Sequence, residues 1–308
     1  MNNSILIYRN KACGCLNLCK IRVSLVAAFS AASGYILAAA HLHGTLLHVF
    51  AGVFLLGCGA SGLNQYQERG TDTLMARTRQ RPLPAGLIAP IHALGFSLML
   101  ACSGIAILSI GCGTLAAVLG LLALVWYIGV YTLLKRVSAF AAIPGAITGA
   151  LPPAIGWAAA GGSISSPALW ALCLFIAMWQ IPHFWLLLIR YGSEYETAGQ
   201  PSLTRLLGRG QLLRIISIWM AATAVSALVL CLFGFAQAVI IKVALIGVSA
   251  WLVWQGVRLV GSRGALCRPV FRWINGYMVL VLILISADKL QVADGISKFA
   301  AAIMNVLQ

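Results

Sequence analysis

Acidic residues are scarce in this chain of 308 residues: six Asp and Glu stand against 21 Lys and Arg, and all charged residues together make up only 9%. Soluble domains usually carry about 25% charged residues, so the charges here cannot cover a water-facing surface of this size. Hydrophobic residues make up 61% of the chain, and the mean hydropathy is +0.95. These values exclude an ordinary soluble protein and predict an integral membrane protein surrounded by lipid.

The net charge of +15 does not indicate a nucleic-acid partner, because the basic residues lie between apolar segments rather than on one soluble face. We expect the excess to set the membrane topology and to bind anions. Several of the nine cysteines lie in apolar segments, where they behave as small hydrophobic residues. Cys13, Cys15 and Cys19 lack the paired spacing of a zinc site, so neither a disulfide framework nor a structural metal is expected.

Nine segments are long and apolar enough to cross a bilayer, which takes about 20 residues as a helix. They cover residues 23–41, 47–64, 91–110, 114–133, 141–160, 167–188, 214–233, 237–256 and 272–289. The predicted fold is therefore an all-α, polytopic membrane bundle. We expect a basic cytoplasmic tail over 1–22, a nine-helix domain over 23–290 and a short extracytoplasmic tail over 291–308.

The distribution of basic residues predicts the orientation of this bundle. With the N-terminus in the cytoplasm, all of the 21 Lys and Arg residues lie inside except Lys242, Lys289 and Lys298. The C-terminus is then outside, and the expected location is a bacterial inner membrane. This arrangement requires the first apolar segment to remain a span, although its end at Ala38, Ala39 and Ala40 is similar to a signal-peptide cleavage site.

Four of the six acids lie in two predicted cytoplasmic loops that are also rich in Arg. In the first loop Asn64, Glu68 and Asp72 recur every four residues, so on a helix they form one oxygen-rich stripe. The second loop contains Glu194 and Glu196. Mg²⁺ prefers a few carboxylates and keeps water or phosphate oxygens as its other ligands, and Arg side chains pair with diphosphates. The alternative is a set of weak surface ion pairs with Arg69, Arg77 or Arg81.

Several segments resemble a known family. Asn64, Glu68 and Asp72 begin a pattern that continues through Met75, Arg77, Thr78, Arg81, Pro82 and Leu83. Further matching segments are Tyr131 to Arg136, Gly149 to Trp157, and Trp179 to Trp185. On these residues the chain resembles the UbiA-type intramembrane prenyltransferases, and the Trp-Gln-Ile-Pro-His-Phe segment is similar to that of their haem branch, the protohaem IX farnesyltransferases.

The resemblance implies transfer of a farnesyl group from farnesyl diphosphate to a vinyl group of haem b, giving haem O, by Mg²⁺-assisted ionisation of the diphosphate. It assigns the metal to Asn64, Glu68, Asp72 and Glu194, and the diphosphate to Arg77, Arg81, Lys135, Arg136 and Arg190. His183, Tyr131 and Tyr195 are the residues expected to contact substrate, with His183 placing the haem through its iron or a propionate. Haem A synthase or a terminal oxidase is the implied partner.

The second acidic segment departs from the family pattern. Ser193-Glu194-Tyr195 stands where Lys-Asp-Tyr is usual, and Ser202-Leu203-Thr204 replaces Met-Leu-Pro. Another acceptor, such as a quinone precursor or a different tetrapyrrole, therefore stays open, as does a haem-handling protein without catalysis. A transporter of an anionic solute is a further alternative, although transporters place substrate near the middle of the membrane rather than at one face.

Overall fold

Helices form all the regular secondary structure in residues 14–306, the part of the chain that this computed structural model describes, with side chains described for residues 14–291. In chain order they are α1 (Ile21–Ala39), α2 (Thr45–Asp72), α3 (Pro90–Cys112), α4 (Thr114–Val125), a π-helix (Trp126–Tyr131), α5 (Thr132–Leu134), α6 (Ala142–Gly145), α7 (Ile147–Ala159), α8 (Pro167–Thr197), α9 (Leu203–Leu206), α10 (Arg209–Val229), a 3₁₀ helix (Leu230–Phe233), α11 (Val239–Gly261) and α12 (Cys267–Val306). The predicted all-α class is confirmed. Cys13 and the side chain of Lys298 lie outside the described residues.

Eight helical stretches within the described residues are long and apolar enough to cross a membrane, and they match eight of the nine predicted spans. The remaining predicted span, 141–160, is helical but divided at Ala146 into α6 and α7. Pro144, Pro152 and Pro153 lie within these two helices. Proline lacks the N–H group that the helical hydrogen-bond ladder uses, so each of these residues leaves one bond of its own helix unmade.

The α6–α7 segment nevertheless takes the chain across the bundle. Lys135, which precedes it, forms an ion pair with Glu68, and Glu194 near the end of α8 accepts a hydrogen bond from Arg77. Both ends of the stretch from Lys135 to Glu194 therefore lie on the same side. Since α8 alone has membrane-spanning length, α6 and α7 must return the chain in the opposite direction.

Two glycines allow α1 and α7 to approach closely. A Cβ atom at Gly156 would overlap the carbonyl oxygen of Ala31, and one at Gly34 would overlap the carbonyl oxygen of Pro153. Small residues at such contacts are typical of membrane helices, whose association depends on close packing rather than on exclusion of water. The larger buried core lies mainly among α8, α10, α11 and α12, and a second core joins α1 to α4 with α7.

Candidate active site

The C-terminal part of α2 carries the oxygen-rich stripe. Asn64, Glu68 and Asp72 are 2%, 6% and 0% exposed, and their four-residue spacing places them on one face of the helix. A buried carboxylate is costly unless it is paired and hydrogen-bonded. The surroundings of these three side chains therefore decide what the stripe can do.

A basic side chain lies against each member of the stripe. Lys135 forms an ion pair with Glu68, and Arg81 donates from Nη1 to both oxygens of Asp72, at 2.7 and 2.9 Å. The ammonium nitrogen of Lys20 donates to the Asn64 amide oxygen over 3.4 Å. The ion pairs predicted as the alternative exist in part, but they are buried rather than on the surface. Three cations from different parts of the chain thus converge on one buried face.

The segment after α2 folds back so that Arg81 reaches Asp72. The Thr78 hydroxyl donates to the carbonyl oxygen of Asp72 over 2.9 Å, and Thr78, Met75 and Leu83 are all buried. These three residues belong to the motif on which the family resemblance was based. Their burial shows that they shape the turn, whereas Arg81 supplies the charge.

The second acidic segment meets this turn. The backbone N–H of Arg77 donates to Glu194 Oε2 over 2.9 Å, and its guanidinium donates to the Tyr195 hydroxyl over 3.4 Å. The guanidinium carbon of Arg77 also lies 4.9 Å from the centre of the Tyr191 ring. The end of α8 and the turn after α2 therefore form one continuous surface beside the stripe. The two acidic segments singled out in the sequence are thus close together in the fold.

Other predicted residues lie at the edge of this surface. Arg136 donates to the carbonyl oxygen of Gln67 over 2.9 Å, and Arg190 lies over the Tyr191 ring at 4.9 Å. Neither contacts an acid of the stripe, so their role with a diphosphate stays a prediction. Glu196 accepts a hydrogen bond from Thr204 over 2.7 Å, which ties α8 to α9 through one of the residues that depart from the family pattern.

Lys20 is a residue of this site that the sequence reasoning placed only in the basic tail. Gln65 of α2 donates to the carbonyl oxygens of Leu18 and Asn17, at 3.0 and 3.3 Å, and so anchors the segment before α1. Lys20 itself adopts a left-handed conformation, with φ of 42°, which is uncommon for a residue other than glycine. Desolvation, aided by the nearby charges of Arg81 and Lys135, lowers the pKa of Lys20 to about 7. An additional anion would be favourable here.

The donor set fits Mg²⁺ in its chemistry. Among the described side chains, no three His, Cys, Asp or Glu residues converge closely enough to form an all-protein metal cage. Mg²⁺ does not need one, because it is usually held by one or two carboxylates together with phosphate oxygens and water. Glu68 and Asp72 supply the carboxylates, and Arg81, Lys135 and Lys20 flank the space that a phosphate group would share.

An aromatic wall leads away from the stripe. The π-helix carries Tyr127 and Tyr131, whose rings stack with centres 5.9 Å apart, and π-helical turns are frequent at functional sites. The Lys135 ammonium lies 5.6 Å from the centre of the Tyr131 ring, and Phe184 stacks with that ring at 5.7 Å. His183, next in sequence to Phe184, contacts it edge to face at 5.5 Å. The predicted substrate residues Tyr131 and His183 are thus joined through Phe184.

The profile of the UbiA prenyltransferase family matches residues 25–279, which is most of the chain. The chain belongs to the UbiA prenyltransferase family. A relative in Geobacter sulfurreducens named protoheme IX farnesyltransferase is 41% identical over 219 residues, covering 71% of this chain and 81% of the relative. A relative of the same name in Oleidesulfovibrio alaskensis is 35% identical over 284 residues, covering 91% of this chain and 97% of the relative.

Solved UbiA-type structures share the fold. A digeranylgeranylglyceryl phosphate synthase superposes with a TM-score of 0.73 at 15% identity, covering 91% of this chain and 99% of that chain. A UbiA homologue from Archaeoglobus fulgidus bound to GPP and Mg²⁺ superposes with a TM-score of 0.65 at 15% identity, covering 89% and 99%. The predicted UbiA-type bundle is therefore confirmed.

Proposed function

We propose that the protein transfers a farnesyl group from farnesyl diphosphate to a vinyl group of haem b, with release of diphosphate. Capture of water by the resulting cation then gives haem O with its hydroxyethylfarnesyl group. The observation that carries this proposal is the buried stripe of α2 with its three converging cations, at the end of an aromatic wall. It is supported by the printed names of the relatives, which match over most of the chain.

Asn64, Glu68, Asp72 and Glu194 are the residues that would hold Mg²⁺. When bound, the metal would neutralise part of the charge that develops on the leaving diphosphate. Arg81 and Lys135 would bind the diphosphate oxygens, with Arg77 at the rim, and fixed charges of this kind stabilise a developing anion strongly in a site that excludes water. The rings of Tyr131 and Phe184 would line the path of the allylic group and stabilise its positive charge.

The site would face the cytoplasm of a bacterium, with the C-terminus on the opposite side of the inner membrane. The positions of the basic residues support this orientation. The proposal includes haem A synthase or a terminal oxidase as the protein that receives the haem product.

The test reconstitutes the full chain in lipid and supplies haem b, farnesyl diphosphate and Mg²⁺, with haem O measured by chromatography and mass. We expect haem O from the wild type and none from Asp72→Ala. A parallel reaction offers an aromatic quinone precursor in place of haem b. Prenylation of that ring without formation of haem O would refute the proposed acceptor and favour the alternative that the altered second acidic segment left open.

A further inference from the structure

The inference concerns how the imidazole of His183 is held. His183 Nδ1 lies 2.8 Å from the amide oxygen of Asn275 on α12, and Asn275 Nδ2 donates to the carbonyl oxygen of Phe271 over 2.5 Å. A carbonyl accepts only, so Asn275 must direct its NH₂ group to Phe271 and its oxygen to His183. The hydrogen therefore sits on Nδ1 of His183, and in the neutral ring the lone pair lies on Nε2.

That second nitrogen is available for a ligand. His183 is half-buried, and Nε2 has no hydrogen-bond partner among the described side chains. Nε2 is not fully buried, so a ligand can reach it. The other four histidines, His41, His43, His48 and His92, are all exposed. Only His183 combines a fixed ring with a free lone pair in the described chain.

Three aromatic side chains restrict rotation of the ring. Its centre lies 5.0 Å from Trp179, 4.9 Å from Phe271 and 5.5 Å from Phe184. Trp179 is itself held by a hydrogen bond of 3.0 Å from Nε1 to the carbonyl oxygen of Ile274. A metal-binding histidine is commonly oriented in this way, by a hydrogen bond to its other nitrogen and by packing.

The position suits a flat apolar acceptor. Glu194 lies eleven positions after His183 on α8, which is about 16 Å along the helix axis. Phe184 and Tyr131 connect the imidazole to Lys135 by successive ring contacts. A tetrapyrrole at His183 would therefore lie deeper in the membrane than the diphosphate, with aromatic rings between the two.

We propose that Asn275 is a positioning residue that holds His183 in the Nδ1–H form, so that Nε2 ligates the iron of the haem acceptor. This inference rests on the proposed function, because it assigns a geometry to the acceptor of that reaction. It adds a residue on α12 that none of the predicted motifs contains.

The experiment titrates the purified, lipid-reconstituted full chain with ferric haem b and records the Soret band and the electron paramagnetic resonance spectrum. We expect a histidine-ligated spectrum that disappears in His183→Ala and is restored by added imidazole. Asn275→Leu should weaken haem binding by about 10- to 100-fold, as loss of a partner behind a metal ligand does. Asn275→Asp keeps the oxygen that accepts from His183 but loses the donor to Phe271, so it should recover part of the affinity, and His92→Ala should bind as the wild type does.

Two results would overturn the inference: an unchanged spectrum in His183→Ala, or wild-type affinity in Asn275→Leu. If Asn275→Leu fails to fold, the imidazole rescue of His183→Ala and the affinity of Asn275→Asp still decide. Histidine ligation without any haem O from the wild type would refute the proposed function and leave the inference standing. Haem O formation by the wild type, together with an unchanged spectrum in His183→Ala, would support the proposed function and refute the inference.

Discussion

Each buried acid of α2 has a different basic partner, and the two partners come from different distances along the chain. Arg81 lies nine residues from Asp72 along the chain and binds it with two hydrogen bonds. Lys135 pairs with Glu68 although α3 and α4 lie between them in the sequence. Both bonds of Arg81 come from the single nitrogen Nη1, so the remaining N–H groups of the planar guanidinium can bind a second acceptor such as a phosphate oxygen. We therefore expect Arg81 to be the least replaceable cation of the site.

The first prediction compares two arginines of the same region. Arg81→Ala should lower kcat/KM for farnesyl diphosphate by roughly 100-fold or more, the usual effect of removing a donor that stabilises a developing anion. Arg69→Ala should change it little, because Arg69 is exposed and contacts only the backbone and ring of Tyr66. Steady-state kinetics of both variants provide the check, and equal losses would argue against a specific role for Arg81.

The second prediction separates two glutamates that are two residues apart. Glu194→Gln keeps an oxygen to accept from the Arg77 backbone but removes a charge, so about tenfold more Mg²⁺ should be needed for half-maximal activity, a change of about 1.4 kcal/mol. Glu196 bonds Thr204 instead, so Glu196→Gln should leave the Mg²⁺ requirement unchanged. The measurement is activity against Mg²⁺ concentration, and identical curves for Glu194→Gln and the wild type would remove Glu194 from the metal site.

The sequence could predict which residues share a helix face, but it could not predict their distant partners. The four-residue spacing of Asn64, Glu68 and Asp72 is a local property, and the structure shows the stripe as expected. The contact of His183 with Asn275 spans 92 residues and follows from how α8 packs against α12. No local pattern marks Asn275 or Lys20.

At the scale of helices, local composition predicts where a membrane span lies better than where its helix ends or breaks. Eight spans appear at the predicted positions, since long apolar runs have few other solutions in lipid. The second and sixth extend further than predicted, to Asp72 and Thr197, so the acids assigned to loops lie on helices. The interruption at Ala146 could not be predicted in this way, because hydropathy does not report on backbone hydrogen bonding. Gly156, near Pro152 and Pro153, lies against α1.

The third prediction concerns this helix contact. Gly156→Ala places a methyl group against the Ala31 carbonyl and should destabilise the fold by roughly 1–3 kcal/mol, the usual cost of overpacking. Gly247→Ala in α11 meets no atom within 4 Å, so it should be neutral or stabilise the helix by up to about 1 kcal/mol. Thermal unfolding in detergent compares the two, and a stable Gly156→Ala would contradict the close contact.

For the whole molecule, contacts within the site indicate the number of times that the chain crosses the bundle, which helix length alone does not. The contacts of Lys135 and Glu194 with the same region around the end of α2 require α6 and α7 to cross the membrane, although neither is long. An odd number of crossings therefore stays the prediction for this bundle.

The fourth prediction tests that crossing directly. An alkaline phosphatase reporter fused after Val137 should be inactive, because the proposed orientation leaves it in the cytoplasm. The same reporter fused after Gly162, beyond α7, should be active outside the cytoplasm. The same activity at both positions would show that α6 and α7 do not cross, and reversed activities would invert the proposed orientation.

The paired charges around Asp72 and Glu68 also bear on how ligands would enter. Since both carboxylates already have cationic partners, arrival of a metal–diphosphate complex would be an exchange of partners: Arg81 and Lys135 would move to the phosphate oxygens while the metal took over the carboxylates. Such an exchange replaces two ion pairs by others without leaving any buried charge uncompensated. Binding and release of the substrate would then change the electrostatic cost of the buried charges little.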